Sequence, residues 1–205
     1  MDHSTLVIHP RDETTRFLEL AYQGVDATVV TGRVPRARLQ GLMEKFDQIV
    51  MLGHGSWNGL YSAGQFPECP YVIDDQVVDL LRERDNNVFV WCFASDFVRK
   101  HRLRGFATGM FISEVQEAEL FELTVTDEEI QESNRVFADV VGRHLNKDPR
   151  ELYAAVDDEY GTLAACNPVA EYNHALLELF ERGTQGHEIP RPHEESSNVC
   201  AAAAA

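Results

Sequence analysis

The sequence predicts an α/β fold: a three-layer α/β/α sandwich around a mostly parallel central sheet, with further helices on its C-terminal side. Two observations predict it. Residues 48–56 and 87–95 contain uninterrupted apolar, β-rich runs, the pattern of strands covered on both faces in a parallel sheet. Between such runs the apolar residues recur at helical spacing, so strand and helix alternate along the chain.

Each element has a local reason. Residues 5–8 form a first strand, ended by His9-Pro10 because proline cannot extend a central strand. Asp12, Thr14 or Thr15 caps a helix whose inner face includes Phe17, Leu18, Leu20 and Ala21, and Gly24 stops it. Residues 27–31 form a second strand, and Pro35 opens a helix with Leu39, Leu42, Met43 and Phe46 inward. The third strand runs into His54. Residues 56–71, with Trp57, Tyr61, Phe66 and several Gly and Pro, read as a functional loop or small hairpin. Asp74 or Asp75 caps the next helix, through Val77, Val78, Leu80 and Leu81, and the strand ending at Cys92 follows. Ser95 or Asp96 caps a helix carrying Phe97, Val98 and His101, and residues 107–113 form a fifth strand before the acidic stretch 114–122.

From Thr126 the pattern turns helical. Thr126 and Glu129 make a capping box, with Ile130, Phe137, Val141 and Leu145 at helical spacing behind it. Asp148-Pro149 and Asn167-Pro168 start two more helices, the last carrying Tyr172, Ala175, Leu176, Leu179 and Phe180 and ended by Gly183. The expected organisation is one α/β domain over residues 1–183, its sheet core at about 5–113 and its helical part at about 126–183. Residues 184–205, with two prolines, a Glu-Ser cluster and five terminal alanines, are expected to be a disordered tail.

Composition narrows the classes of function. With 205 residues and a formal charge of −16, the chain lacks the basic surface that general nucleic-acid binding needs. One basic cluster, residues 99–104, reads as a solvated helix end rather than a phosphate site. No run of 18 apolar residues occurs, so no membrane span is expected. The N-terminus lacks the features of a signal peptide, and a cytoplasmic protein is the expectation. Cys69, Cys92, Cys166 and Cys200 fit neither a zinc knuckle nor a CxxC redox motif, and no cofactor is implied. The oligomeric state is left open.

The chemistry concentrates where two strands end. His54 sits between Gly53 and Gly55, and Cys92 closes the next predicted strand. If the strands are parallel neighbours, imidazole and thiol meet at the carboxyl edge of the sheet, where open α/β sheets build their sites. A thiolate is the nucleophile of cysteine catalysis, a nearby imidazole generates it, and the amides of Gly55 and Cys92 could serve a developing oxyanion. Against this stands a structural reading, in which His54 is an ordinary histidine and Cys92 an inert core thiol. A metal set of His9, His54, Cys92 and Asp96 has suitable ligand types but no short-spaced ligand pair.

A His-Gly pair ending one strand, followed by a Cys ending the next, resembles the caspase–gingipain–separase group of cysteine peptidases over roughly residues 5–113. The resemblance implies that His54 is the base, that Cys92 is the nucleophile, and that Gly55 and Cys92 supply oxyanion amides. It also implies a first strand lying beside the His54 strand. The caspase-type Gln-Ala-Cys-x-Gly is absent, and Trp91 and Phe93 flank Cys92. The function expected is that of a caspase-like cysteine hydrolase acting on a peptide or other small substrate. The alternative is a non-catalytic module holding a peptide or small ligand in the same crevice. Asp12, Asp96 and Glu114 are the acidic candidates for a substrate pocket, which would favour Lys or Arg, and Trp57 is a candidate wall. Arg11 could instead select an acidic group.

Overall fold

The structure, a computed structural model, describes residues 4–32, 34–62 and 71–182. The expectations that fall on Phe66, Cys69, Cys200 and the 184–205 tail lie outside the described residues.

The strands are β1 (Thr5–Ile8), β2 (Ala27–Val30), β3 (Gln48–Leu52), β4 (Gly55–Ser56), β5 (Gly59–Tyr61), β6 (Tyr71–Ile73), β7 (Asn87–Val90), β8 (Gly105–Thr108) and β9 (Leu177–Phe180). The helices are α1 (Arg36–Met43), α2 (Val78–Arg82), α3 (Ala94–His101), α4 (Val115–Leu120), α5 (Asp127–His144), α6 (Pro149–Ala164) and α7 (Pro168–His174). Six strands form one sheet in the order β2-β1-β3-β7-β8-β9, and β4, β5 and β6 form a small antiparallel sheet beside it. All pairings in the large sheet are parallel except β8 with β9.

Alternation along the strands divides the core. Val7, Val50, Leu52, Val88, Val90 and Phe106 pack with residues of α5 and α6 on one face. Leu6, Ile8, Ile49, Met51, Phe89 and Ala107 pack with residues of α1, α2 and α3 on the other. Neighbouring residues of a strand point to opposite faces, which accounts for both clusters. Helices on both faces of a mostly parallel sheet are compatible with the layered α/β architecture.

Three elements differ from the sequence expectation. The first helix is a six-residue 3-10 turn, Arg16–Ala21, that buries Leu18 and Ala21 and leaves Leu20 39% exposed. The spacing of its two inward residues matches a three-residue period. The fifth strand stops at Thr108, and residues 109–113 leave the sheet to cross the carboxyl edge, with the Gly109 amide donating to the Leu176 carbonyl. The last expected helix ends at His174, and Leu177–Phe180 becomes the edge strand β9, paired antiparallel to β8. Four residues with Leu at alternate positions satisfy a period of two as well as a helical one, so pairing with β8 decides the outcome.

The helix caps largely follow the expectation. Thr126 and Glu129 form the capping box, and Asp148, Asn167 and Asp74 accept backbone N–H bonds at the starts of α6, α7 and the 3-10 turn before α2. Helix α3 is different: its N-cap is Phe93, in the left-handed region at φ 66°, and neither Ser95 nor Asp96 caps it. The basic cluster is largely neutralised on the surface. Arg99 pairs with Asp96 and Glu178, Lys100 and His101 with Asp75, and Arg104 with Asp85. No described helix is long and apolar enough to cross a membrane.

Candidate active site

Strand register positions the site. Val50, Met51 and Leu52 of β3 pair with Val88, Phe89 and Val90 of β7, and the Gly53 amide donates to the Val90 carbonyl at 3.0 Å. Carrying the same offset past the last pair sets His54 level with Cys92. Both follow closely on strand residues, Leu52 and Val90, of the face that packs on α5. They line one cavity of about 20 Å³ together with Thr15, Phe17, Leu18, Phe111 and Ser113. That volume admits about one water molecule.

Two sharp turns end these strands. Gly53 lies at φ 141°, a conformation that side-chain-bearing residues rarely adopt. Cys92 and the left-handed Phe93 turn the chain from β7 into α3, with the Phe93 amide on the Gly109 carbonyl and the Ala94 amide on the Trp91 carbonyl. Trp91 has the opposite parity to Cys92. Its ring packs edge-on to Phe89 and Phe97 on the far face of the sheet, and its indole N–H donates to the Ser56 carbonyl at 3.1 Å. The indole therefore does not cover the thiol. It does explain Gly55, because a Cβ there would stand 2.2 Å from Trp91 Cδ1.

His54 is held by the segment that follows β1. Its Nε2 lies 2.5 Å from Thr14 Oγ1 and 3.5 Å from Asp12 Oδ2. Asp12 Oδ1 accepts from the Thr14 and Thr15 amides at 3.1 and 2.9 Å and from their hydroxyls at 2.9 and 3.0 Å. Burial acts to raise the Asp12 pKa, but its bonds with His54, Thr15 and Thr14 prevail and hold the carboxyl well below the usual range. Burial acts against the charged form of His54, but Asp12, and more weakly Glu117 and Glu114, prevail and raise its pKa. Just past β1, His9 is fully buried, with Nδ1 3.1 Å from the Tyr22 hydroxyl and Nε2 3.3 Å from Thr15 Oγ1. Burial lowers its pKa to about 4, so it is neutral at pH 7.

Cys92 is 6% exposed, and its thiol donates to the Phe111 carbonyl at 3.6 Å. It packs with Met110, Ile112, Ala118, Ile130 and Val169, and Tyr172 lies against this cluster. Burial first, and the neighbouring Cys92 in the same direction, raise the Tyr172 pKa to about 12, so the phenol keeps its proton. The 109–113 segment that roofs the thiol is pinned from the helical layer. Asn173 binds both the amide and the carbonyl of Ile112, and Asn134 donates to the Ser113 carbonyl. Glu117 Oε2 accepts from the Ser113 amide at 2.7 Å and from its hydroxyl at 3.0 Å. Burial raises the Glu117 pKa, and these two bonds and His54 oppose it.

The other expected site residues divide. Glu114 is half-buried just ahead of α4 and close enough to act on His54 electrostatically. Asp12 is taken up by its own loop and by His54. Asp96 lies on α3, paired with Arg99 at 2.9 Å. Trp57, in the two-residue turn of the β4–β5 hairpin, is 37% exposed and meets Phe93 edge-on at 6.1 Å. Arg11 pairs with Glu19. No set of His9, His54, Cys92 and Asp96 forms a metal centre: among the described residues no group of three or more His, Cys, Asp or Glu is placed to hold an ion. Thr14, Ser113, Glu117 and Tyr172 were not read from the sequence as site residues. Thr14 looked like a helix cap and Glu117 like one more charge in an acidic stretch, so nothing local marked either.

Comparisons with protein-family models, with curated proteins and with solved structures find no match to this chain.

Proposed function

We propose that the protein is a caspase-like cysteine hydrolase that cleaves a peptide bond with His54 and Cys92. The observation that carries this reading is the register of β3 on β7, which aligns the strand ends that lead to His54 and Cys92, two residues that line one cavity. Two features add support. The first strand pairs with the His54 strand, as the resemblance implies. The ring is also anchored through Nε2 by groups that favour its charged form, the form a base reaches after taking a proton.

In this reading His54 takes the thiol proton and Cys92 Sγ attacks the carbonyl carbon of the scissile bond. The amides of Gly55 and Cys92 hold the oxyanion. Collapse of the tetrahedral adduct breaks the C–N bond, and His54 delivers its proton to the leaving amine. A water, deprotonated by His54, then hydrolyses the thioester, releasing the carboxylic acid and restoring the thiol. Glu114 and Glu117 give the site a negative potential that favours a basic group on the substrate. With Cys92 bonded to the Phe111 carbonyl and about one water's room beside it, a peptide reaches Sγ only when the 109–113 segment withdraws.

The test is labelling with a thiol-directed peptide electrophile. Wild-type protein should label at one site and Cys92→Ala should not, whereas equal labelling of both would end the proposal. The burial of Cys92 favours a second reading, a binding module without turnover. That reading predicts thermal stabilisation by a peptide or small ligand, lost in Trp57→Ala, with no peptidase activity in wild type.

A further inference from the structure

We infer that Thr14 is a positioning residue for His54: its hydroxyl couples the Asp12 carboxylate to Nε2, fixes the hydrogen of the neutral ring on Nε2, and leaves Nδ1 as the nitrogen that takes the proton. The inference deepens the hydrolase reading and rests on it for the role of His54 as base.

A threonine hydroxyl has one proton to donate and two lone pairs. Thr14 Oγ1 lies 2.9 Å from Asp12 Oδ1 and 2.5 Å from His54 Nε2, so one of these contacts uses the hydroxyl proton and the other uses a lone pair. The carboxylate carries full charge and is the stronger acceptor, so the proton goes to Asp12. The contact with His54 is then made by a ring N–H donating to Thr14. The second carboxylate oxygen enforces the same choice. Asp12 Oδ2 lies 3.5 Å from Nε2, where it attracts an N–H and repels a lone pair. The tautomer of a histidine follows from the bond its other nitrogen makes, so a proton held on Nε2 leaves Nδ1 with the lone pair.

The bland reading is that Thr14 only completes the turn that Asp12 makes with the Thr14 and Thr15 amides. Those bonds use backbone N–H groups, and a residue at position 14 without a hydroxyl would keep them. The two readings separate on the imidazole. The charged and titratable groups acting on His54 are Asp12, Glu114 and Glu117, with His9 behind it; a change at Thr14 removes one hydroxyl bond from Asp12 and touches none of the others. Thr14 is exposed, so its substitution leaves the core intact.

The experiment is a pH titration of the full-length protein labelled with ¹⁵N, reading the His54 ring by long-range ¹H–¹⁵N correlation and assigning it with His54→Gln. Wild type should show the neutral ring protonated at Nε2. Thr14→Val should lose the dominance of that tautomer and lower the titration midpoint, and Thr14→Ser should restore both. A wild-type ring protonated at Nδ1, or a Thr14→Val spectrum and midpoint equal to wild type, overturns the inference. Alkylation of Cys92 by iodoacetamide is followed on the same samples. The expected tautomer together with peptide-electrophile labelling that survives Cys92→Ala supports the positioning role while removing the hydrolase reading.

Discussion

His9 and His54 follow adjacent strands and titrate in opposite senses, because one is buried among neutral hydroxyls and the other faces a carboxylate. The folded pKa of His9 is lowered to about 4, so the unfolded chain binds its proton first. Stability is unaffected above the ordinary value near 6.5 and falls as pH drops from there towards 4, by about 3 kcal/mol in full. The folded pKa of His54 is raised, so its contribution is complete below the ordinary value and is lost as pH rises through the folded one. Urea unfolding at stepped pH should show a steep loss between neutral pH and 4 in wild type, and a shallower one in His9→Gln. Equal slopes would remove His9 as the cause. Gly55 presents a steric case at the same scale. An added methyl would meet the Trp91 ring and the Gly59 carbonyl at 2.2 and 2.6 Å, so Gly55→Ala should cost about 1–3 kcal/mol, the usual cost of overpacking, with a change in tryptophan emission. Full stability in that variant would show that the ring yields.

Among the elements, α5 carries the largest share of the helical layer over the site-bearing face. It supplies Phe137, Ala138, Val140 and Val141 to that core, and Asn134 to the segment over Cys92. Its start is fixed by the reciprocal bonds of Thr126 and Glu129, which satisfy N–H groups that the first helical turn leaves without partners. Thr126→Ala should lower stability by about 1 kcal/mol in urea melts and leave Cys92 alkylation unchanged. Faster alkylation would mean that fraying at the start of α5 reaches the roof of the site. Such caps are legible in sequence because they are made within a few residues. The strand β9 was not: residues 177–180 are compatible with either period, and what makes them a strand is the free edge of β8, brought alongside by four intervening helices.

Over the whole molecule, charge works against compaction. The sequence carries a formal charge of −16, and the ion pairs among the described residues, such as Arg143 with Glu159 and Arg150 with Glu181, are largely exposed and individually weak. Screening the net repulsion should outweigh the loss of these pairs. The melting temperature should therefore rise between about 10 mM and about 150 mM salt, as the screening length falls from about 30 to about 8 Å. A fall would show that the pairs dominate.

The alternation of strand and helix, the main helix starts and the parallel adjacency of the strands that lead to His54 and Cys92 were legible in the chain alone. All of them follow from local periodicity, local hydrogen bonds and the rule that parallel neighbours share an edge. The surroundings of that pair were not legible. That Asp12 turns to His54, that Trp91 faces away from the thiol, that residues 109–113 lie over Cys92 and that Glu117 is buried beneath Ser113 are consequences of register and packing between segments distant in sequence. Residue order fixes which side chains can reach the carboxyl edge; only the close packing of the layers decides which of them is buried, which is charged and which covers the sulfur.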